Sequence, residues 1–337
     1  MAFCKIGKRD GGGVKGICHM NYEYLISIEN LLLAWQDFLI GKKMKKDVQE
    51  FQFNLMDNIL ALHQDLASGI YKHGGYQEFK INDPKPRTIH KATVRDRLLH
   101  HAVYRVLYDY FDERFIFDSY SCRNNKGTHR AISQFNSFAR IVSKNHTHAC
   151  WVLKCDIKKF FHSIDQRILL EILEKYIPDS NIINLLANII GSFDSGRPCT
   201  GLPLGNLTSQ LFCNIYMNEF DQFVKHTLRI KHYVRYADDF VFLSEDRQYL
   251  ESLIPLINEF LQSRLKLSLH PDKLFIKTFS SGVDFLGWVN FNDHKVIRTK
   301  TKQRMLKRLK KSNSLQTISS YLGLLKHGNT EKIKNRL

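Results

Sequence analysis

Apolar residues recur every three or four positions in several segments of the chain, which is the spacing of a helix with one buried face. One such stripe ends before Gly69 and consists of Phe51, Leu55, Ile59, Leu62 and Leu66. Another follows a charged cluster at residues 95–97 and consists of Leu98, Leu99, Ala102, Val103, Val106 and Leu107. Residues 166–176 and 207–224 also have helical patterns. These segments predict a helical framework.

Other segments are rich in the β-branched and aromatic residues that favour strands. Residues 76–81 predict a short strand, and the prolines of residues 83–86 predict a turn after it. The apolar run at residues 151–157 contains Asp156 near its end, so it predicts a buried strand that carries a carboxylate to the edge of a sheet. Two further β-prone runs, separated by Ala237-Asp238-Asp239, predict a hairpin with carboxylates at its tip.

The chain has 337 residues, 43% of them hydrophobic, so it can bury a sizeable core divided into two or three subdomains. No uninterrupted apolar stretch approaches the roughly 20 residues that a membrane-spanning helix needs. Residues 1–10 lack the apolar segment of a secretory signal. We therefore expect a soluble, cytoplasmic protein without a membrane partner.

The seven cysteines are an odd number, are widely scattered and include no C-x-x-C pair. This pattern favours reduced, mostly buried thiols over a disulfide framework or a zinc site. Cys18-His19 is the one adjacent pair of candidate metal ligands, and it has no partners at a usable spacing.

Lys and Arg number 50 against 33 Asp and Glu, and the formal net charge of +17 favours a polyanionic partner. From Lys295 onward, 13 basic residues stand against one acid, Glu331. The same segment has periodic apolar residues, namely Met305, Leu306, Leu309, Ile318, Tyr321, Leu322 and Leu325. A basic amphipathic helical unit that lies on nucleic acid explains both features, whereas a solvated basic tail explains the charge alone.

Asp156 and the Asp238-Asp239 pair are far apart in sequence, yet both lie at ends of apolar strands, so neighbouring strands can bring them together. Adjacent carboxylates repel one another and are costly to desolvate, and a divalent cation removes that cost. Such oxygen ligands suit Mg²⁺, and two ions about 4 Å apart can catalyse nucleotidyl transfer. An isolated Ala-Asp-Asp is also typical of an ordinary turn. The surrounding motifs distinguish the two interpretations.

The order of motifs over about residues 80–330 resembles that of reverse transcriptases. Residues 85–89 with 94–98 resemble the first fingers motif, and residues 117–129 resemble the second. The remaining matches are the first catalytic palm motif at 156–165, the nucleotide-facing motif at 201–210, the second catalytic motif at 236–239 and the primer grip at 285–288.

The resemblance implies an α+β fold with the right-hand shape of a polymerase. It divides the chain into an N-terminal helical extension at 1–75, fingers at 76–150, a palm with an antiparallel sheet at 151–290 and a basic helical thumb at 291–337. The implied enzyme is an RNA-directed DNA polymerase that binds template RNA, primer or cDNA, and dNTP. The implied cofactor is a pair of Mg²⁺ ions, with Mn²⁺ as a substitute.

The resemblance also implies roles for individual residues. Asp156 and Asp238 bind metal directly, Asp239 supports them, and the backbone carbonyl of Ile157 completes one metal shell. Phe161 matches the steric gate against a ribose 2′-hydroxyl, whereas its neighbour Phe160 is better explained as a core aromatic.

Further contacts are implied around the reacting groups. Lys80 and Arg87 match fingers positions that contact the triphosphate, although a solvated face explains Lys80 equally well. Gly205 and Gln210 lie in the motif that faces the nucleotide, where Gly205 allows close approach of the backbone. The expected nucleic-acid contacts are Arg95, Arg97, Arg123, Leu286, Gly287, Lys307 and Lys310.

One departure from the commonest pattern narrows the subfamily. The nucleotide-facing motif has Leu204 and Gln210 where most bacterial and retroviral relatives have Gln and Pro. This form, and residues 320–329 of the thumb, resemble reverse transcriptases of diversity-generating retroelements, in bacteria or phages. That subfamily implies synthesis that is error-prone at template adenines and a small basic, oligomeric accessory protein in a ribonucleoprotein.

Three alternatives stay open at this point. A retron, CRISPR-associated or antiphage-defence reverse transcriptase would have the same palm but a different biological role. A non-catalytic RNA-binding scaffold would keep the palm alone, but intact carboxylates are poor neighbours for a phosphate backbone. An RNA-dependent RNA polymerase is disfavoured by Phe161, which should exclude ribonucleotides.

Overall fold

A computed structural model describes residues 20–82, 85–311 and 314–334 of the chain. Cys18-His19 and the Asp83-Pro84 part of the predicted turn lie outside this part of the chain. All five cysteines within it are free, and three of them, Cys150, Cys155 and Cys213, are buried. None of the helices in the described ranges is long and apolar enough to cross a membrane.

Residues 20–75 contain four helices, and the predicted apolar stripe is divided between two of them. The four helices are α1 Tyr22–Ile26, α2 Ile28–Leu39, α3 Lys46–Phe53 and α4 Leu55–Ala67. The prediction of one continuous helix through Phe51 and Leu66 was wrong, because Asn54 leaves the helical region at ψ 43° and separates α3 from α4. The buried side of α4 still consists of Ile59, Leu62 and Leu66.

The fingers combine a two-stranded antiparallel sheet with a long buried helix. These elements are β1 Tyr76–Ile81, β2 Arg87–Ala92 and α5 Val94–Asp112. Thr93 caps α5, because its hydroxyl accepts a hydrogen bond from the Asp96 amide at 3.2 Å. The side of α5 predicted from residues 98–107 is buried and packs against α2. The predicted strand and helix are thus both confirmed.

The palm is a four-stranded antiparallel sheet with helices on both faces. Its elements in chain order are α6 Thr128–Val142, β3 Trp151–Asp156, α7 Phe160–Ser163, α8 Gln166–Tyr176, α9 Ser180–Gly191, α10 Leu207–Gln222, a π-helical turn Phe223–Thr227, β4 Tyr233–Tyr236, β5 Asp239–Ser244, α11 Arg247–Leu265 and β6 Phe275–Thr278. The strand order is β4-β5-β3-β6. This arrangement confirms the predicted buried strand, the hairpin and the helix over residues 166–176.

Alternate residues of the palm strands enter two different apolar cores. Leu153 and Phe240 face the larger core with α10 and α11, whereas Val152 and Val241 face a smaller core with α6. Successive side chains of a strand point to opposite faces, so burial on both faces requires apolar residues at nearly every position. This explains why the palm strands are continuous apolar runs in the sequence.

The thumb is joined to the palm through a third antiparallel sheet. Its elements are β7 Val283–Phe285, β8 Trp288–Asn290, β9 Lys295–Ile297, α12 Thr299–Lys311, α13 Leu315–Leu325 and α14 Glu331–Lys334. Asn290 pairs with Lys295 in this sheet, so the palm-side sheet extends beyond the expected boundary at residue 290. Likewise α6, assigned to the fingers from sequence, packs on β4 and β5 of the palm.

The basic helix α12 is amphipathic, as its sequence predicts. Met305 and Leu309 are buried in the smaller core, whereas Lys307 and Lys310 are exposed. Gly328 lies directly against Trp288, which Lys295 covers from 5.6 Å above the ring. This contact fixes the end of the thumb to the small sheet.

Gly328→Ala should release this contact. An added Cβ would lie 2.1 Å from a Trp288 ring carbon and 2.9 Å from the Lys295 carbonyl oxygen, and Trp288 is buried. We expect a loss of about 1–3 kcal/mol in the free energy of unfolding and faster proteolysis within residues 299–334. Denaturant unfolding and limited proteolysis measure these changes.

Gly323→Ala is the matched control, because Gly323 lies within α13 and an added Cβ would meet nothing within 4 Å. It should leave stability unchanged or raise it by up to about 1 kcal/mol. Equal melting of the two variants would contradict the proposed role of the Gly328 contact.

Candidate active site

The three carboxylates expected at one end of the sheet are brought together by the pairing of β3 with β5. Asp156 is directly opposite Asp239 in this ladder. The Ile157 amide donates a hydrogen bond to the Asp238 carbonyl oxygen at 3.2 Å, which extends the pairing by one step. Ala237 forms the hairpin turn with φ +56°, a conformation that costs a non-glycine residue energy and is common at functional sites.

Two of the carboxylates have an ammonium companion. The Lys273 Nζ atom lies 2.5 Å from Asp156 Oδ1. The Lys154 Nζ atom lies 3.0 Å from Asp239 Oδ1 and donates a hydrogen bond to Asp239 Oδ2 at 3.1 Å. Lys154 and Asp156 are two residues apart on one strand, so their side chains share a face of the sheet. Asp239 is thereby held toward Lys154.

The cluster carries unfavourable negative charge. Burial and the neighbouring Asp156 carboxylate raise the pKa of Asp238. Burial, opposed by Lys154 and reinforced by Asp156 and Asp238, raises the pKa of Asp239 to about 7. Both shifts mean that ionised carboxylates are costly at this site unless a cation compensates them.

This donor set fits a divalent cation that prefers oxygen. Lys273 contacts one oxygen of Asp156, whereas Lys154 contacts both oxygens of Asp239. Asp156 and Asp238 are therefore the two carboxylates that could bind the cation directly. Among the described residues, no three Asp, Glu, His or Cys side chains are grouped closely enough to enclose a metal ion by themselves. Mg²⁺ is commonly held by one or two carboxylates, with water and substrate phosphates as its other ligands, so two carboxylates suffice.

Cations from three parts of the chain surround the carboxylates. Burial lowers the pKa of Lys85, and nearby Lys273 and Arg298 lower it further, whereas Asp156 opposes them. Arg87 lies within electrostatic reach of Asp238. Arg298 is anchored by Asp284, whose carboxylate lies 2.7 Å from its Nε atom. Cations beside oxygen ligands suit a polyphosphate substrate.

A fully buried ion pair holds the catalytic hairpin from behind. Arg235, on β4, binds both carboxylate oxygens of Asp221 on α10, with distances of 2.6–3.0 Å. The same guanidinium donates hydrogen bonds to the Ala237 carbonyl at 3.1 Å and to the Ser119 hydroxyl at 3.2 Å. Tyr233 also donates a hydrogen bond to Asp221, at 2.8 Å. The turn that carries Asp238 is therefore fixed to α10 and to the loop at residues 113–127 between α5 and α6, called the fingers loop below.

A protein-family model described as "Reverse transcriptase (RNA-dependent DNA polymerase)" matches residues 72–290, which are well over half of the chain and include all three carboxylates of the site. The chain belongs to the reverse transcriptase family. This finding confirms the enzyme class expected from the motifs, that of an RNA-directed DNA polymerase.

Sequence relatives include intron-encoded proteins. Protein YkfC of Escherichia coli K12 is 26% identical over 290 residues, which are 74% of this chain and 74% of YkfC. The group II intron-encoded protein LtrA of Lactococcus lactis is 22% identical, over 84% of this chain and 58% of LtrA. The putative COX1/OXI3 intron 2 protein of Saccharomyces cerevisiae is 21% identical, over 75% of this chain and 34% of its own length. The chain thus spans only part of these two intron-encoded proteins.

Solved structures with the same fold include telomerases. The telomerase of Candida albicans, in complex with a TWJ fragment of telomeric RNA, superposes with a TM-score of 0.51 over 68% of this chain and 46% of the telomerase chain. A truncated apo telomerase of Candida tropicalis gives 0.51 over 72% and 60%. Sequence identity is 12% in both, so these matches bear on the fold alone. They confirm the predicted right-hand polymerase fold.

The two phenylalanines after Asp156 have different environments in the reverse transcriptase. Phe160 is buried in the larger core, whereas Phe161 is half-buried at its edge. The Phe161 carbonyl accepts a hydrogen bond from the Leu202 amide at 2.7 Å, which joins it to the nucleotide-facing motif. Phe161 is thus next to the nucleotide-facing motif, and its role as a steric gate stays a prediction.

The nucleotide-facing motif is attached to the fingers. Gly205 has φ +108°, and a Cβ on it would lie 2.7 Å from the Ile89 side chain of β2. The flanking Leu204 carbonyl accepts a hydrogen bond from the His90 amide at 2.9 Å. The close neighbour that requires a glycine is therefore Ile89, while contact between Gly205 and a nucleotide stays a prediction. Gln210 is half-buried in the first turn of α10.

Three arginines expected to contact nucleic acid are engaged within the protein. Arg95 pairs with Asp65, and Arg97 pairs with Asp47 at 2.5 Å, so both connect α5 to the N-terminal helices. Arg123 binds Asp112 at 2.6 Å and is almost completely buried. These ion pairs give each arginine a role in holding the protein together. Nucleic-acid binding by the three arginines stays a prediction, and their internal pairing does not favour it.

The other expected contacts are exposed or lie near the site. Lys80 is exposed on β1, opposite Thr88. Leu286 and Gly287 form the turn between β7 and β8, with φ +53° and +90°. The Arg298 amide donates a hydrogen bond to the Gly287 carbonyl at 3.1 Å, so this turn adjoins the cations around Asp156.

Sequence reasoning missed Lys154, Lys273 and the Arg235–Asp221 pair. Lys154 could have been found from strand periodicity, because it shares a face with Asp156 two residues later. Arg235 could have been suspected as a charge within the buried strand before the catalytic turn. No local signal identifies Asp221 as its partner or Lys273 as the partner of Asp156.

Arg235→Lys should separate positioning from charge. Lysine keeps the charge but cannot bind both oxygens of Asp221 and reach the Ala237 carbonyl as well. We expect the free energy of unfolding to fall by about 3 kcal/mol and kcat for dNTP incorporation to fall at least about tenfold, with a smaller change in KM. Denaturant unfolding and steady-state primer extension measure these effects.

Arg247→Lys is the matched control, because Arg247 forms an exposed pair with Glu251 at 2.8 Å on α11. Its effect on stability should be below about 0.5 kcal/mol, with kcat unchanged. An Arg235→Lys enzyme with wild-type kcat would show that the hairpin does not need this arginine for its position.

Proposed function

We propose that this reverse transcriptase synthesises cDNA on an RNA template by two-metal nucleotidyl transfer. The observation that carries the proposal is the convergence of Asp156 and Asp238 at the end of the β3–β5 ladder, inside a reverse transcriptase domain. The raised pKa values of Asp238 and Asp239 support a site that is completed by divalent cations. The cofactor would be a pair of Mg²⁺ ions, with Mn²⁺ as a substitute.

In this proposal the protein side chains position substrate and metal. Bound Mg²⁺ would supply the charge that activates the primer 3′-hydroxyl and stabilises the leaving pyrophosphate. Asp156, Asp238 and the Ile157 carbonyl hold the metal, and Asp239, fixed by Lys154, keeps the hairpin end in place. Lys80 and Arg87 bind the triphosphate from the fingers.

Phe161 and the thumb complete the proposed substrate site. Phe161 excludes a ribose 2′-hydroxyl and so selects dNTP. The exposed Lys307 and Lys310 bind the backbone of the template–primer duplex, and the Leu286-Gly287 turn supports the primer end.

We further propose that the enzyme belongs to a diversity-generating retroelement. The Leu204 and Gln210 form of the nucleotide-facing motif supports this, and Leu204 makes the β2 contact that joins this motif to the fingers. The expected partner is a small basic, oligomeric accessory protein in a ribonucleoprotein. The second candidate is a retron, CRISPR-associated or antiphage-defence enzyme, which has the same palm.

Primer extension on an RNA template tests the polymerase. With Mg²⁺ and four dNTPs, Asp238→Ala should lower extension by about a thousand-fold or more, because a direct metal ligand is lost. Asp293→Ala is the control, since Asp293 is a fully exposed acid in the turn between β8 and β9. No wild-type extension, even with the accessory protein added, would favour the RNA-binding scaffold.

Sequencing of the extension products tests the subclass. Errors concentrated opposite template adenine support the retroelement enzyme, whereas faithful synthesis supports the retron or defence alternative. Leu204→Gln combined with Gln210→Pro should lower the adenine-specific error rate several-fold, because it restores the commoner residues around the templating base pair. An unchanged error spectrum would remove this motif as the source of infidelity.

A further inference from the structure

One aromatic side chain of the fingers loop is displayed to solvent although its backbone is rigidly held. Phe117 is 70% exposed. Arg123 donates hydrogen bonds to the Ile116 carbonyl at 2.7 Å and to the Ser119 carbonyl at 3.1 Å, on either side of Phe117. The Arg235 amide donates to the Asp118 carbonyl at 3.0 Å. The exposed ring is therefore presented by an ordered loop.

One ammonium group lies over a face of this ring. The Lys126 Nζ atom lies 3.4 Å from the centroid of the Phe117 ring and donates a hydrogen bond to the Phe117 carbonyl at 2.7 Å. Burial and the nearby Arg123 lower the pKa of Lys126, which Arg130 lowers further. An anionic ligand that approaches the ring would stabilise the charged form of this lysine.

Two acids beside the loop are paired with cations. Asp118 is paired with Lys225 at 3.1 Å, and Asp112 is paired with Arg123. Lys225 also donates a hydrogen bond to the Lys231 carbonyl at 2.9 Å. This places the segment 225–231, whose basic residues are Lys225, Arg229 and Lys231, beside the loop. Exposed Glu113 is next to exposed Arg114. Lys126 and the exposed Arg229 and Lys231 therefore supply positive charge beside Phe117.

We propose that Phe117, Lys126 and the basic residues 225–231 bind single-stranded template RNA, with one base stacked on the open face of the Phe117 ring. An aromatic ring bordered by cations is the usual composition of a site for unpaired nucleic acid, because each base offers a π-face and each nucleotide a phosphate. A protein-binding anchor would instead be bordered by neutral contacts that exclude water. The inference rests on the proposed function.

The position of the loop fits a template strand outside the catalytic centre. Ser119 forms a parallel bridge with Arg235, three residues before Asp238. Three strand residues at about 3.3 Å each place Ser119 roughly 10 Å along the sheet edge from Asp238, and Phe117 lies in the turn that precedes Ser119. That distance corresponds to about three nucleotides at a rise of about 3.4 Å.

Equilibrium binding of a fluorescent single-stranded RNA, measured by anisotropy without dNTP, tests the proposal. Phe117→Ala should weaken binding about tenfold, which is the order expected for one lost base stack. Phe117→Trp should restore wild-type affinity, and its added indole fluorescence should be quenched by the RNA. Binding of duplex RNA should change far less than binding of the single strand.

Phe53→Ala is the matched control, because Phe53 is 89% exposed at the end of α3, far in sequence from the basic loop. It should bind RNA as the wild type does. Wild-type affinity of Phe117→Ala, or an equal loss with Phe53→Ala or on duplex RNA, would overturn the proposal. Because binding is measured without dNTP, failure here is distinguishable from failure of the polymerase, which wild-type primer extension tests separately.

Discussion

The structure depends on the buried pair of Arg235 and Asp221. Removing two charges from water is costly, and a buried pair recovers that cost only when its geometry and additional hydrogen bonds are favourable. Here Arg235 bonds both oxygens of Asp221 and also reaches the Ala237 carbonyl and Ser119. One side chain thus ties β4, α10, the catalytic turn and the fingers loop into a single arrangement. The position of Asp238 follows from it.

Cations from surrounding elements balance the negative charge of the carboxylates at the site. Lys154 comes from the same strand as Asp156, Lys273 from the segment before β6, and Lys85 and Arg298 from the fingers and the edge of the thumb. Cations arranged in this way suit a polyphosphate substrate, because they compensate the negative charge of its phosphates. Part of the basic excess of the chain therefore lies at the centre of the site as well as on the thumb.

The palm sheet is packed on both faces, and elements of the fingers and of the thumb pack against it. One face contributes to the larger core with α10 and α11, and the other to the smaller core that also includes α6 and the buried residues Met305 and Leu325 of the thumb. Packed cores transmit displacement because they have few voids. The carboxylates at the end of β3 and β5 lie between these two cores, so fingers and thumb are positioned relative to the same strands.

The sequence by itself determined the palm strands, the carboxylate-bearing hairpin, the helix over residues 166–176 and the amphipathic basic thumb, because these features are encoded in local periodicity and motif order. Tertiary structure decided the break at Asn54, the partner of Arg235, the placement of Lys273 on Asp156 and the internal pairing of Arg95, Arg97 and Arg123. Each of these depends on which side chains, distant in sequence, meet in space. Local pattern carries no information about such pairings, since a charged residue has the same periodicity whether it binds an internal acid or a phosphate.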